Sequence, residues 1–173
     1  MTRDEIVAAL QELDTELSRT GERATVLVAG GVVLALGFQS RESTRDIDAV
    51  EVTSSDARRF EADVQIVAAR RGLPSDWINT RAAAFAVGRS EGQPLYSGAA
   101  LELRSVSSEQ LLAMKLSAMR DDVDWADAGV ALRALSGSRE EIWARVEPYL
   151  LPGQERWRRQ LFDGLWEELD ADR

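Results

Sequence analysis

The sequence predicts an α+β fold: a small mixed β-sheet flanked by helices, followed by a C-terminal helical region. Three observations carry this. The chain opens on an amphipathic helical pattern. Short apolar, β-branched runs then alternate with helical segments as far as residue 106. Beyond 107 only helical periodicity remains. At about 100–200 residues per domain, 173 residues make one domain. We divide it into an α/β core over 1–106 and a helical region over 107–173 packed on it as a single compact unit.

Thr2 and Glu5 form a capping box, and Ile6, Leu10, Leu13 and Leu17 recur at helical spacing until Gly21 ends the helix. ATVLV (24–28) suits a buried strand. Gly30-Gly31 then leads into VVLALGF, a short helix, and 41–45 is polar and turn-like. DIDAVEV (46–52) alternates and is rich in β-branched residues, which predicts a second strand. Ser54 or Ser55 caps a helix with Phe60, Val64, Val67 and Ala68 inward, closed by Gly72 and Pro74. Residues 73–98 are irregular, and ALELRSV (100–106) is a third strand. Ser107 with Gln110 caps a helix running through Met119. The next helix carries Trp125, Ala128, Leu132 and Leu135 on one face. Ser138 with Glu141 opens another, and Pro152-Gly153 precedes a last one over 154–169.

Composition narrows the chemistry. The chain has 30 acidic and 21 basic side chains, a formal charge of −9, and neither cysteine nor histidine. Disulfides, thiolate metal sites, cysteine nucleophiles and imidazole bases are therefore excluded. Catalysis would fall to carboxylates, hydroxyls, Arg or Lys, with a hard oxygen-bound metal. The acidic balance argues against a nucleic-acid coat protein or a polybasic membrane binder. MTRDEIVAAL carries charges where a signal peptide would need an apolar core, so a cytoplasmic protein is expected. The longest uncharged run, 24–40, is interrupted by Gly-Gly and falls short of the about 20 apolar residues of a membrane span. No membrane partner is expected.

Four places can carry chemistry. Gly30-Gly31, between strand and helix, either serves turn geometry or lets backbone approach a phosphate. Asp46 and Asp48 project to one face of a strand with Ile47 opposite. Two carboxylates this close repel unless a cation lies between them, and Mg²⁺ commonly uses such a pair; a solvated acidic strand edge is the bland alternative. Of the 21 basic residues only Lys115 is a lysine. It falls in the apolar stripe of Leu112, Leu116 and Met119, from which its stem can snorkel or its head can meet phosphate as a point charge. Glu102 shares a strand face with Arg104, either as a surface ion pair or as a third carboxylate for a metal.

The order VLVAGG, then Asp46-Ile47-Asp48, resembles the polymerase-beta-type nucleotidyltransferase superfamily. The string Arg41-Glu42-Ser43-Thr44-Arg45-Asp46-Ile47-Asp48 is similar to the R-x-T-x-D-I-D signature of minimal nucleotidyltransferase-like proteins related to the AbiEii toxins of type IV toxin–antitoxin systems. LPSDWIN, and LLAMKLSAMR followed by Asp124 and Asp127, resemble later blocks of one bacterial subgroup, a nucleotidyltransferase-like domain of unknown function. The likeness spans roughly 24–135.

The resemblance implies that Gly30 and Gly31 cradle a nucleoside triphosphate within a signature that also holds Arg41 and Thr44. It implies that Asp46 and Asp48 hold Mg²⁺ or Mn²⁺, that Lys115 lies near the phosphates, and that Asp124 and Asp127 line the rear of the cleft. Glu102 is the positional candidate for the third catalytic carboxylate. The reaction implied is transfer of a nucleoside monophosphate to a hydroxyl of RNA, tRNA or a protein, by a toxin with a cognate antitoxin protein. The alternative is a degenerate nucleotide- or partner-binding member of the same fold.

Arg156, Arg158 and Arg159 beside Trp157 suit either single-stranded RNA or, as expected here, a solvated helix face with one core Trp. Trp125, Trp143 and Trp166 are taken as core anchors, and Trp77 as a wall of the cleft.

Overall fold

Thr2 caps the first helix, α1 (Arg3–Thr20), through the full capping box with Glu5, and Gly21 closes it in the left-handed conformation. These and the elements below come from a computed structural model that describes residues 1–171. The chain falls into two units. One is Met1–Ala83 with Glu91–Ser105; the other takes Ala84–Ser90 and the chain from Val106 onward. The boundary expected after residue 106 lies after Ser105, and 84–90, expected in the core, belongs with the helices.

The first unit holds β1 (Ala24–Ala29), β2 (Ile47–Ser54), α2 (Ala57–Arg71), β3 (Ile78–Asn79), β4 (Pro94–Ser97) and β5 (Leu101–Ser105). The sheet order is β3-β2-β1-β5-β4. β1 pairs antiparallel with β2 and parallel with β5; β2–β3 is parallel and β4–β5 antiparallel. The sheet is mixed, as expected. β3 and β4 lie in the stretch read as irregular, because strands of two and four residues are too short to show a period.

Each sheet face is set by alternation. Ala24, Val26 and Val28 of β1 lie in register with Leu101, Leu103 and Ser105 of β5, and all six are buried. With Ile6, Leu10, Leu13 and Leu17 of α1 and Phe60, Val64 and Val67 of α2 they form the core of this unit. Trp77, expected on a cleft wall, is fully buried, its indole N–H donating to the Val64 carbonyl at 3.1 Å. The cap of α2 is Asp56, not Ser54 or Ser55: its carboxylate accepts from the Arg58 and Arg59 N–H groups. Ser54 is still in β2, where pairing fixes its backbone.

The second unit contains α3 (Ser108–Ala118), α4 (Asp122–Arg133), α5 (Arg139–Val146) and α6 (Glu155–Ala171). Ser107 and Ser138 cap α3 and α5 as the sequence indicates. Ile142, Trp143, Val146, Phe162 and Leu165 are buried there. The Arg159 guanidinium lies 5.2 Å from the Trp143 ring centroid. Trp125 and Trp166 are half-buried rather than core, and Trp125 donates its indole N–H to Glu168 at 2.8 Å. Trp157 is 61% exposed, so the face with Arg156 is solvated without a core tryptophan.

Candidate functional site

At the C-terminal end of β1 the chain turns through Gly30, whose φ of 70° is left-handed, and enters a single π-helical turn, Val33–Gly37. Such turns are rare and concentrate at functional sites. A β-carbon on Gly30 would stand 2.7 Å from Oδ2 of Asp48, and one on Gly31 would overlap the Thr44 hydroxyl and lie 3.0 Å from the Arg41 guanidinium. Both positions therefore require glycine, because signature residues fill the space a side chain would take.

The loop that supplies Arg41 and Thr44 is tied down. Thr44 is buried, and its hydroxyl donates to the Asp46 carbonyl at 3.1 Å. Its N–H donates to the Met1 carbonyl at 2.9 Å, the Met1 amino group donates back to the Thr44 carbonyl, and Thr2 bridges Ser43. Met1 and Thr2 thus tie down the loop through one isolated antiparallel bridge.

Asp48 is in register with Ala29 on one side and with Asn79 on the other. Asn79 donates from Nδ2 to Oδ2 of Asp46 at 3.0 Å, and the Arg81 guanidinium lies 3.8 Å from the same oxygen. Asp46, Asp48 and Asn79 thus share a face, with Ile47 buried on the other. Asn79 and Arg81 escaped the sequence reading; only the parallel pairing of the two-residue strand β3 brings them beside Asp46.

Glu102 lies elsewhere. It is in register with Thr25, four residues along β1 from the Ala29–Asp48 row, a separation of about 13 Å at 3.3 Å per residue. Its carboxylate accepts from Arg104 at 2.7 Å. It lines an open hollow of about 810 Å³ with Arg23, Thr25, Thr53 and Ser97. The expectation that Glu102 joins Asp46 and Asp48 is corrected by register: the last β1–β5 pair is Val28–Ser105, so β5 ends before it reaches the level of Asp48.

Lys115, Asp124 and Asp127 belong to the helical unit, where they bind one another. The ammonium lies 3.0 Å from Oδ1 of Asp124 and 2.6 Å from Oδ2 of Asp127. Arg120 adds its Nε at 2.8 Å from Oδ2 of Asp124. Burial raises the Asp124 carboxyl, but hydrogen bonds from Arg120 and Lys115 outweigh it and hold the group at about 2. The lysine in the apolar stripe is thus neither snorkelled into water nor a bare point charge; it is the hub of an ion cluster.

The donor set bears on the implied metal. Among the described residues no three carboxylates converge as a metal-binding group. Asp46 and Asp48 make a pair, and Mg²⁺ is commonly held by one or two carboxylates plus phosphate oxygens and water. A pair facing a glycine turn fits a metal that arrives with a triphosphate; it does not fit a metal caged by protein alone.

No protein-family model matches this chain, and neither a curated protein nor a solved structure is significantly similar to it. Among the described residues no helix is long and apolar enough to cross a membrane.

Proposed function

We propose that the chain is a metal-dependent nucleotidyltransferase that moves a nucleoside monophosphate from a nucleoside triphosphate to a hydroxyl of RNA, tRNA or a protein. The observation that carries this reading is the packing of Gly30 and Gly31 directly against Asp48, Thr44 and Arg41. Residues drawn from three stretches of sequence meet at one end of the sheet, with the Asp46 carboxylate on the same face.

Asp46 and Asp48 would hold Mg²⁺ or Mn²⁺, and bound metal supplies charge neutralisation on the phosphates and a more acidic acceptor hydroxyl. Gly30 and Gly31 let Asp48, Thr44 and Arg41 close on the turn beside which a triphosphate would lie. Arg41 offers a guanidinium fork to phosphate oxygens. Asn79 and Arg81 orient Asp46, fixing one carboxylate oxygen and leaving the other for the metal. Positioning and charge neutralisation do most of the work in such transfers. The likeness to AbiEii-type toxins extends the proposal to a toxin with a protein antitoxin.

Calorimetry with the four Mg-ribonucleoside triphosphates tests this. Wild type should bind, with a preference among the bases, and Asp46→Asn/Asp48→Asn should lose at least tenfold in affinity. Equal binding by the variant, or no binding by wild type in Mg²⁺ or Mn²⁺, rejects the reading. A second reading, a degenerate nucleotide-binding or partner-binding protein, is favoured by the distance of Glu102 from the aspartate pair. It predicts nucleotide binding without transfer.

A further inference from the structure

We propose that the outer edge of β2 takes a further strand from a partner protein. The added strand is an extended segment that seats a branched aliphatic side chain beside Val52 and sets a lysine or arginine, two residues away, against Glu61. This stands apart from the nucleotidyl-transfer reading. β2 runs over Ile47–Ser54, but β3 pairs only with Ile47 and Asp48. The other neighbour of β2 is β1. From Ala49 to Ser54 the far side of β2 has no strand beside it, a length of about 20 Å at 3.3 Å per residue.

Two hydrogen bonds fix which backbone groups that edge presents. The Ile47 N–H donates to the Trp77 carbonyl at 2.7 Å, so Ile47 turns its peptide groups toward β3. The Ala24 N–H donates to the Ala100 carbonyl at 2.8 Å, away from β2. In an antiparallel pair, register mates turn their groups either toward each other or both apart. Ser54, the mate of Ala24, therefore turns its groups outward. The ladder slips between Leu27 and Val28: Ala49 pairs with Val28 and Glu51 with Leu27, leaving Val50 as the extra residue of a bulge. Counting by twos from each end across this bulge leaves Ala49, Val52 and Ser54 facing outward. Among the described residues none of the three has a backbone partner on that side. β2 also lacks the proline and lysine that commonly close an edge.

The helix-packed face beside this edge carries a matching gap. Val52 is in register with the buried Val26, yet is itself only half-buried. Beside it lies an opening of about 240 Å³ walled by Val52, Phe60, Val64 and Ile78, roomier than the roughly 150 Å³ cavity that accepts a benzene ring. An added strand presents every second side chain to this face. One placement thus satisfies the backbone edge and fills the opening, the combination by which strand addition gains affinity and specificity. Glu61 and Gln65 rim the opening. Gln65 is engaged, donating to the Ser75 carbonyl at 2.8 Å. Glu61 is exposed and has neither hydrogen bond nor ion pair among the described residues. A basic side chain two places along the added strand, about 7 Å away, has the reach to meet it. This carboxylate and a net charge of −9 select a basic segment and disfavour a second copy of the chain.

The experiment measures binding of fluorescein-labelled peptides to the whole chain by anisotropy at low salt. The probe TVTKTVTK sets valine and lysine alternately on one face of a strand, and TVTETVTE reverses the charge. Wild type should bind the lysine peptide at least about tenfold more tightly than the glutamate peptide. Glu61→Lys, at an exposed helix position, should invert that order. Two further versions of the lysine probe carry N-methyl groups, one on the valine and lysine nitrogens, the other on the threonine nitrogens. Successive N–H groups of a strand point to opposite sides, so one version should lose at least about tenfold and the other less than about threefold. Val52→Pro removes an outward N–H from an edge strand, where proline is tolerated. Folded by circular dichroism, it should bind at least about tenfold more weakly than wild type; if it unfolds, charge reversal and methylation still decide. No binding by wild type up to about 1 mM peptide, an unchanged preference in Glu61→Lys, or equal effects of the two methylated sets overturns the proposal. So does a wild-type dimer in sedimentation velocity that Val52→Pro returns to monomer, which gives the edge to a second copy.

Discussion

Gly30 leaves bare the space that the Asp48 carboxylate occupies, since a β-carbon there would stand 2.7 Å from Oδ2. Two penalties follow for Gly30→Ala. A left-handed φ of 70° costs a side chain about 1 kcal/mol, and the overlap displaces Asp48 or the turn. Gly72 separates these effects, because its φ is 65° but nothing lies within 4 Å of a β-carbon built there. Gly72→Ala should lose about 1 kcal/mol in urea denaturation and leave Mg-nucleotide affinity unchanged. Gly30→Ala should lose about 2–3 kcal/mol and at least tenfold in that affinity.

The ion cluster of the helical unit makes a stability prediction. Lys115 binds two carboxylates, and Asp124 is 2% exposed. Removing one partner of a buried pair costs about 3–5 kcal/mol, because the opposite charge is left uncompensated. Lys115→Met keeps the length of the stem within the apolar stripe and isolates the loss of charge. It should unfold at markedly lower urea concentration, with an unchanged m-value. Arg120 retains its hydrogen bonds to Asp124, so the loss should fall at the lower end of the range.

Acid should weaken the same cluster in a defined window. The Asp124 carboxyl is held at about 2 against an ordinary 3.8. A depressed carboxylate contributes stability that is fully present above its unfolded value and is lost as pH falls through the folded one. The contribution should therefore hold down to about pH 4 and disappear toward pH 2. A shift of this size corresponds to about 2 kcal/mol. Chemical denaturation at pH 7, 4 and 2.5 on wild type and Asp124→Asn measures it: the pH dependence should be shallower in the variant.

Much of this architecture was legible because it is written locally. Capping boxes at Thr2 and Ser138 and the terminal glycines Gly21 and Gly72 mark helix ends through backbone hydrogen bonds within a few residues. A motif string named Gly30, Gly31, Arg41, Thr44 and Asp48, but that they pack on one another is visible only in the structure. What escaped was set by pairing between distant strands. A one-residue bulge at Val50 moves Glu51 to the face of Asp48, and period-2 reading cannot see it. The parallel register of β1 and β5 decides that Glu102 stops short of that row. Asn79 reaches Asp46 only because two residues of β3 pair with β2. Trp157 fails differently: its helix shows a clear apolar stripe through Phe162, Leu165 and Leu169, and Trp157 lies outside it.

Asp14 joins the first helix to the β4–β5 hairpin, and its loss should be felt in two measurements. Its Oδ1 accepts from the N–H groups of Ala100 at 2.7 Å and Leu101 at 2.8 Å, and Oδ2 accepts from Ala99 at 3.2 Å. Gly98 passes beneath the carboxylate so closely that a β-carbon there would overlap it. Asp14→Ala leaves three donors without their partner in a turn that is only partly open to water. With an unsatisfied donor costing about 1–3 kcal/mol when buried and less when wet, the variant should lose about 2–3 kcal/mol in urea denaturation. The second measurement is optical. Burial raises the Tyr96 phenol above its usual range, and the Asp14 charge raises it further. Ultraviolet titration of Asp14→Asn should show the most elevated tyrosine moving down while staying above an ordinary phenol, because burial, the larger cause, remains. An unmoved titration would mean that the Asp14 carboxylate does not stand where its three backbone donors put it.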